Sequence, residues 1–195
     1  MRRIARTASL VALAALFSTA AFAHPGDHSH LGFAAGFAHP FTGLDHLLAM
    51  IAVGLWASQL GGRAVLLLPL TFPAVMAAGA ALGFGGVALP WIEIGITASV
   101  LVLGAAVALS YRPALAVSLP LIGLFALLHG YAHGVELPAA TSAFGYCAGF
   151  VAATLILHLA GLAIGFAAGR APVRFAARTA GGAIAAVGAI LLVTV

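Results

Sequence analysis

Lysine is absent from this chain of 195 residues, Asp and Glu together number four, and charged residues of all kinds make up only 6%. That is far below the ~25% of an ordinary soluble domain and excludes one here. With 64% hydrophobic residues, the chain reads as an integral membrane protein. The single cysteine, Cys147, excludes an intrachain disulfide and a multi-thiolate metal centre, and reads as a small packing residue. No G-x-x-x-x-G-K-[ST] run is present, so solute movement would draw on an ion gradient, the membrane potential or consumption of the solute inside. The net charge of +4 does not point to nucleic acid, because the arginines are scattered beside apolar runs. They read as topology signals.

Residues 1–23 read as a cleaved signal peptide. Arg2, Arg3 and Arg6 form the basic start, Ala8 to Phe22 the apolar run, and Ala21-Phe22-Ala23 the cleavage site. An uncleaved first helix is the competing reading, and the shortness of the run argues against it. Residues 24–195 then form one domain, an all-α polytopic bundle with six transmembrane helices, expected at 40–60, 64–84, 90–110, 114–134, 141–167 and 176–195. Pro40, Pro90 and Pro113 are expected near helix starts, and Gly61-Gly62 and Gly85-Gly86 at helix ends. Pro69 and Pro73 should bend the second span.

Six spans place both termini on one side. With an exported N-terminus, Arg63, Arg112, Arg170, Arg174 and Arg178 all fall on the cytoplasmic side. Five or seven spans would split them. The runs Gly79-xxx-Gly83, Gly145-xxx-Gly149 and Gly161-xxx-Gly165-xxx-Gly169 suggest close helix packing.

Two polar islands interrupt the apolar sequence: His39-Pro40-Phe41-Thr42-Gly43-Leu44-Asp45-His46 and His129-Gly130-Tyr131-Ala132-His133-Gly134-Val135-Glu136. Imidazole and carboxylate are expensive in hydrocarbon, so their clustering marks an ion site. The topology puts Asp45 and His46 about one turn inside the outer end of the first span, and His129 and His133 about one turn inside that of the fourth. Glu93 lies at the same level, early in the third span. The stretch His24-Pro25-Gly26-Asp27-His28-Ser29-His30 is expected outside, where His24 and His28 would capture metal. His129, His133 and Glu136 share one helical face. His39 and His46 would share one too if the first span begins early enough. Asp45 points about 100° from His46, so both reach one ion only if it lies between them or the helix is irregular there. Gly43, Gly130 and Gly134 permit local unwinding or close approach. His158, in the inner half of the fifth span, is either a core residue bonded to a neighbouring helix or an inner relay ligand.

Imidazole mixed with carboxylate and without thiolate suits Ni2+, Co2+, Zn2+ or Cu2+. The second island lacks the glutamate of a catalytic H-E-x-x-H helix. Histidine ligands imply competition between metal and protons near about pH 6.

The H-P-x-x-G-x-D-H pattern at His39 to His46, the H-G-x-A-H-G-x-E pattern at His129 to Glu136 and the small six-span chain resemble the HupE/UreJ family of nickel and cobalt permeases, found with hydrogenase and urease genes. The resemblance covers essentially the whole mature chain. It implies secondary transport of Ni2+ or Co2+, with His39, Asp45, His46, His129 and Glu136 at matching functional positions and Glu93 a looser match. The expected protein is therefore not an enzyme but a multi-pass permease of the bacterial inner membrane. Its N- and C-termini lie on the periplasmic side, its partners are the metal ion and the lipid bilayer, with no nucleic acid, and a homo-oligomer is allowed for. The rivals are an integral membrane metalloenzyme, such as a zinc-dependent hydrolase with Glu136 or Glu93 as its base, and a metal-binding assembly factor that does not transport.

Overall fold

The computed structural model describes residues 29–137, 142–168 and 174–195. The expected signal peptide, His24 and His28 lie outside these residues, as do Gly169 and Arg170. Among the described residues there are seven helices and no strand: α1 (Ser29–Thr42), α2 (Leu44–Leu60), α3 (Ala64–Phe84), α4 (Ile92–Leu109), α5 (Leu115–Glu136), α6 (Ala143–Ala168) and α7 (Arg174–Thr194). Five of them, α3 to α7, are long and apolar enough to cross a membrane. The pair α1 and α2 also qualifies when taken together, but it is bent by 81°. The described residues therefore hold five unbroken span candidates, and a sixth if the bent pair is one span.

Helix ends follow from local chemistry. Gly61, Gly62 and Gly86 take φ values of 71°, 52° and 70°, in the left-handed region where glycine carries no Cβ penalty. The expected ends at Gly61-Gly62 and Gly85-Gly86 are thus found. Pro90 and Pro113 lie just before α4 and α5, as expected. Pro40 does not start a helix: it lies inside the last turn of α1, and the break expected there comes three residues later at Gly43. Residues 64–84 form a single helix through both Pro69 and Pro73.

From α2 to α7 the helices alternate in direction. Gly79 and Gly83 of α3 face the carbonyls of Leu127 and Tyr131, so α3 and α5 run parallel. Gly104 faces Ala185 while Gly188 faces Leu101, which makes α4 and α7 antiparallel. In α1 and α6, Gly32 faces the Ser142 carbonyl and Gly36 that of Tyr146, while Gly149 faces Phe33 and Phe37, so these two run parallel. Central α2 is the most enclosed element, with Ala49, Met50, Ala52, Val53, Trp56 and Ala57 fully buried. The Trp56 indole N–H donates to the Tyr111 carbonyl at 2.8 Å and Gln59 Nε2 to that of Val107 at 3.0 Å, tying α2 to the end of α4. Large apolar side chains such as Leu66, Phe144, Leu159 and Ile190 lie on the outside, where a lipid-facing surface must be apolar.

Close approach replaces hydrophobic collapse as the packing device, because lipid is as apolar as the helices themselves. At the α3–α5 seam a Cβ on Gly130 would run into the Met76 carbonyl, and one on Gly134 into that of Ala80. Both obstacles are backbone, so neither yields. Gly130→Val should therefore cost more than the ~1–3 kcal/mol of ordinary overpacking and lower the melting temperature of the purified protein sharply. Gly123→Ala is the control. Its Cβ would meet only Val75 Cγ2, at 4.0 Å, and the helix should gain up to about 1 kcal/mol.

Candidate metal site

The 81° bend decides the position of His39. Gly43 adopts an extended φ of −90° and ψ of 118°, ending α1 and starting α2, whose first bond runs from Leu47 N–H to the Gly43 carbonyl at 2.9 Å. His39 and His46 thus belong to different helices, and the shared-face expectation for them does not hold. The bend itself brings them together, with ring centroids 5.7 Å apart. A side chain at the break would press on the Asp45–His46 pair. A Cβ on Gly43 would lie 2.9 Å from Asp45 Oδ1 and 3.0 Å from His46 Nδ1.

Parallel packing of α5 beside α3 presents the other two histidines. His133 lies 4.6 Å from both His39 and His46 by ring centroids, and His129 lies 5.0 Å from His46. One ring nitrogen from each of His39, His46 and His133 falls within 4.8 Å of the other two. An ion with bonds of about 2.1 Å in tetrahedral geometry needs nitrogens about 3.4 Å apart. Small side-chain rotations of the three rings close that gap.

Hydrogen bonding fixes the orientation of His46 and His129. Asp45 Oδ1 accepts from His46 Nδ1 at 2.7 Å and from the His46 backbone N–H at 2.8 Å. This carboxylate holds the proton of His46 on Nδ1 and leaves Nε2 with a bare lone pair. The Phe125 carbonyl accepts from His129 Nδ1 at 2.8 Å, with the same consequence. His46 Nε2, His129 Nε2 and both ring nitrogens of His133 are buried with no partner among the described residues. Buried polar atoms are nearly always bonded, so four orphans in one cluster mark a candidate site for an ion.

The walls are aromatic. The Phe150 ring of α6 lies 4.2 Å from His133 and 5.8 Å from His39, and Tyr146 lies 6.0 Å from His39. Phe72 of α3 packs against His129 at 5.5 Å. These rings were not legible as site residues, because isolated aromatics in apolar helices read as core. Tyr131, inside the second polar island, holds the α3–α4 connection: its hydroxyl donates to the Val87 carbonyl at 2.6 Å and accepts from Leu89 N–H at 3.1 Å.

The structure brings together His39, His46, His133 and, beside them, His129. Asp45 stands behind His46 as its orienting partner, which resolves the 100° divergence between the two side chains. Glu93 in the first turn of α4 and Glu136 at the end of α5 are exposed and outside the group of converging donors. His158 is fully buried in α6, with Nδ1 3.2 Å from the Pro69 carbonyl.

The model of the family described as HupE / UreJ protein matches residues 11–191. A curated relative, Protein HupE of Rhizobium leguminosarum bv. viciae, is 48% identical over 193 residues, covering 96% of this chain and 96% of that protein. No solved structure matches. With motifs, apolar helices and both matches extending over nearly the same length, the chain belongs to the HupE/UreJ family.

Proposed function

We propose that this chain is a secondary permease that carries Ni2+ or Co2+ across the bacterial inner membrane into the cytoplasm. The observation that carries the reading is the convergence of imidazole nitrogens of His39, His46 and His133 from three helices, those of His46 and His133 buried with a nitrogen unpartnered among the described residues, in a bundle whose outer surface is apolar. His39, His46 and His133 are the ligands, His129 is the next to receive the ion, and Asp45 orients His46. Glu93 and Glu136, exposed at the ends of their helices nearest the histidines, attract the ion to the mouth. His24 and His28 collect it beforehand.

Direction follows from charge. Arg63, Arg112 and Arg178 lie at helix ends opposite the histidines, and the positive-inside rule puts that end in the cytoplasm. A divalent ion moving inward down the membrane potential gains about 4.6 kcal/mol per 100 mV, which drives uptake without a nucleotide. A hydrolase is less well supported, because Asp45 is engaged by His46 and neither Glu93 nor Glu136 joins the histidine group.

The test is Ni2+ uptake into proteoliposomes loaded with a fluorescent metal sensor, under an imposed inside-negative potential. Saturable uptake that grows with the potential is expected. Uptake equal to that of empty liposomes, by protein that still binds metal, would leave the assembly-factor or enzyme reading in its place.

A further inference from the structure

His158 poses a question the cluster does not answer. It sits on α6 eight residues beyond Phe150, about 12 Å deeper along the helix, and is fully buried. Its Nδ1 bonds a particular carbonyl, that of Pro69. In an unbroken helix that carbonyl would accept from residue 73, but residue 73 is proline and has no N–H to give. His158 supplies the missing donor. A carbonyl can only accept, so the proton of His158 resides on Nδ1 and the Nε2 lone pair is bare. That Nε2 is buried without a partner among the described residues.

One turn earlier on the same face of α6 lies Thr154, also fully buried, whose hydroxyl oxygen likewise has no partner among the described residues. A helical threonine ordinarily bonds back to the preceding turn, and this one does not. Two orphaned lone-pair donors, one imidazole nitrogen and one hydroxyl oxygen, therefore share a face in the bundle interior. The Phe72 ring lies between His158 and the histidine cluster, packing on His129 at 5.5 Å and on His158 at 5.4 Å.

We propose that His158 and Thr154 form a second, deeper holding station for the transported divalent ion, occupied after it leaves the His39, His46 and His133 cluster. This inference rests on the permease reading. The station has one nitrogen and one oxygen donor, and water completes the shell. It therefore binds more weakly than the three-imidazole cluster, as a release-side station must if the ion is to move on.

The experiment measures Co2+ stoichiometry by equilibrium dialysis of the full-length protein in nanodiscs, alongside Co2+ uptake in proteoliposomes. His158→Asn keeps an N–H donor for the Pro69 carbonyl and removes the Nε2 lone pair. The wild type is expected to bind one ion more per chain than H158N, with affinity at the outer cluster unchanged within about threefold and uptake reduced at least tenfold in the variant. Thr154→Val, which removes only the hydroxyl, should weaken the second ion at least tenfold. It decides the matter if H158N fails to fold. Equal numbers of ions bound by the wild type and H158N, or variants that keep normal uptake, would overturn the station. Failure of the permease reading looks different: the wild type itself would then not transport, whatever H158N does.

Discussion

Replacing His133 with alanine should reduce metal uptake by more than about 100-fold while leaving the protein folded. The two halves of this expectation have separate causes. Both ring nitrogens of His133 are buried and without a partner among the described residues, so its removal breaks no hydrogen bond seen there and relieves two unsatisfied polar atoms. The backbone there is held by Gly130 and Gly134 against α3, which the substitution leaves intact. Its ring is nevertheless the hub of the cluster, 4.6 Å from His39 and 4.6 Å from His46. Without it the remaining imidazoles cannot enclose an ion. The loss should exceed the ~10- to 100-fold range typical of residues that merely support ligands. Paired measurement of uptake and melting temperature checks both halves, and a large fall in melting temperature would mean that His133 is structural.

Asp45→Asn is expected to weaken metal binding by about 10- to 100-fold, with a smaller change in maximal uptake rate. The carboxylate does two things at once. It accepts from His46 Nδ1 at 2.7 Å and from the His46 backbone N–H at 2.8 Å, and it sits in the first turn of α2, where a negative charge is worth about 0.3–1 kcal/mol. Asparagine keeps the shape but loses the charge. It can also turn its amide N–H toward His46, which would favour the tautomer protonated on Nε2 and block the lone pair the metal needs. Titration calorimetry with Co2+ measures the affinity, and uptake at rising metal concentration separates the half-saturation point from the maximum. Unchanged affinity would remove Asp45 from the site.

Much of this architecture is legible because hydrocarbon enforces simple rules. A stretch such as 64–84 must be a helix from end to end, since no other element satisfies its backbone in lipid, and α3 occupies those residues. The cost of intramembrane imidazole likewise singles out His39, His46, His129 and His133 before any fold is known. The bend at Gly43 is not legible, because Pro40 is the stronger local signal for a helix boundary. Here its missing N–H falls in the last turn of α1, and the break comes where Asp45 and His46 need room. The role of Asp45 is hidden for a related reason: its neighbour in sequence is its hydrogen-bond partner, a geometry that helical-wheel angles count against. The deeper pair is hidden more thoroughly. Thr154 reads as an ordinary helical threonine, and only the arrival of α6 beside the carbonyl freed by Pro73 gives His158 a defined proton position.

The central claim is that imidazole nitrogens of His39, His46 and His133 hold the transported ion, and the X-ray absorption spectrum of the nickel-loaded protein tests it most directly. The wild type at one equivalent of Ni2+ should show about three imidazole nitrogens at roughly 2.0–2.1 Å, and His133→Ala should lose one of them. A first shell made only of oxygen, or a spectrum unchanged by His133→Ala, would contradict the account.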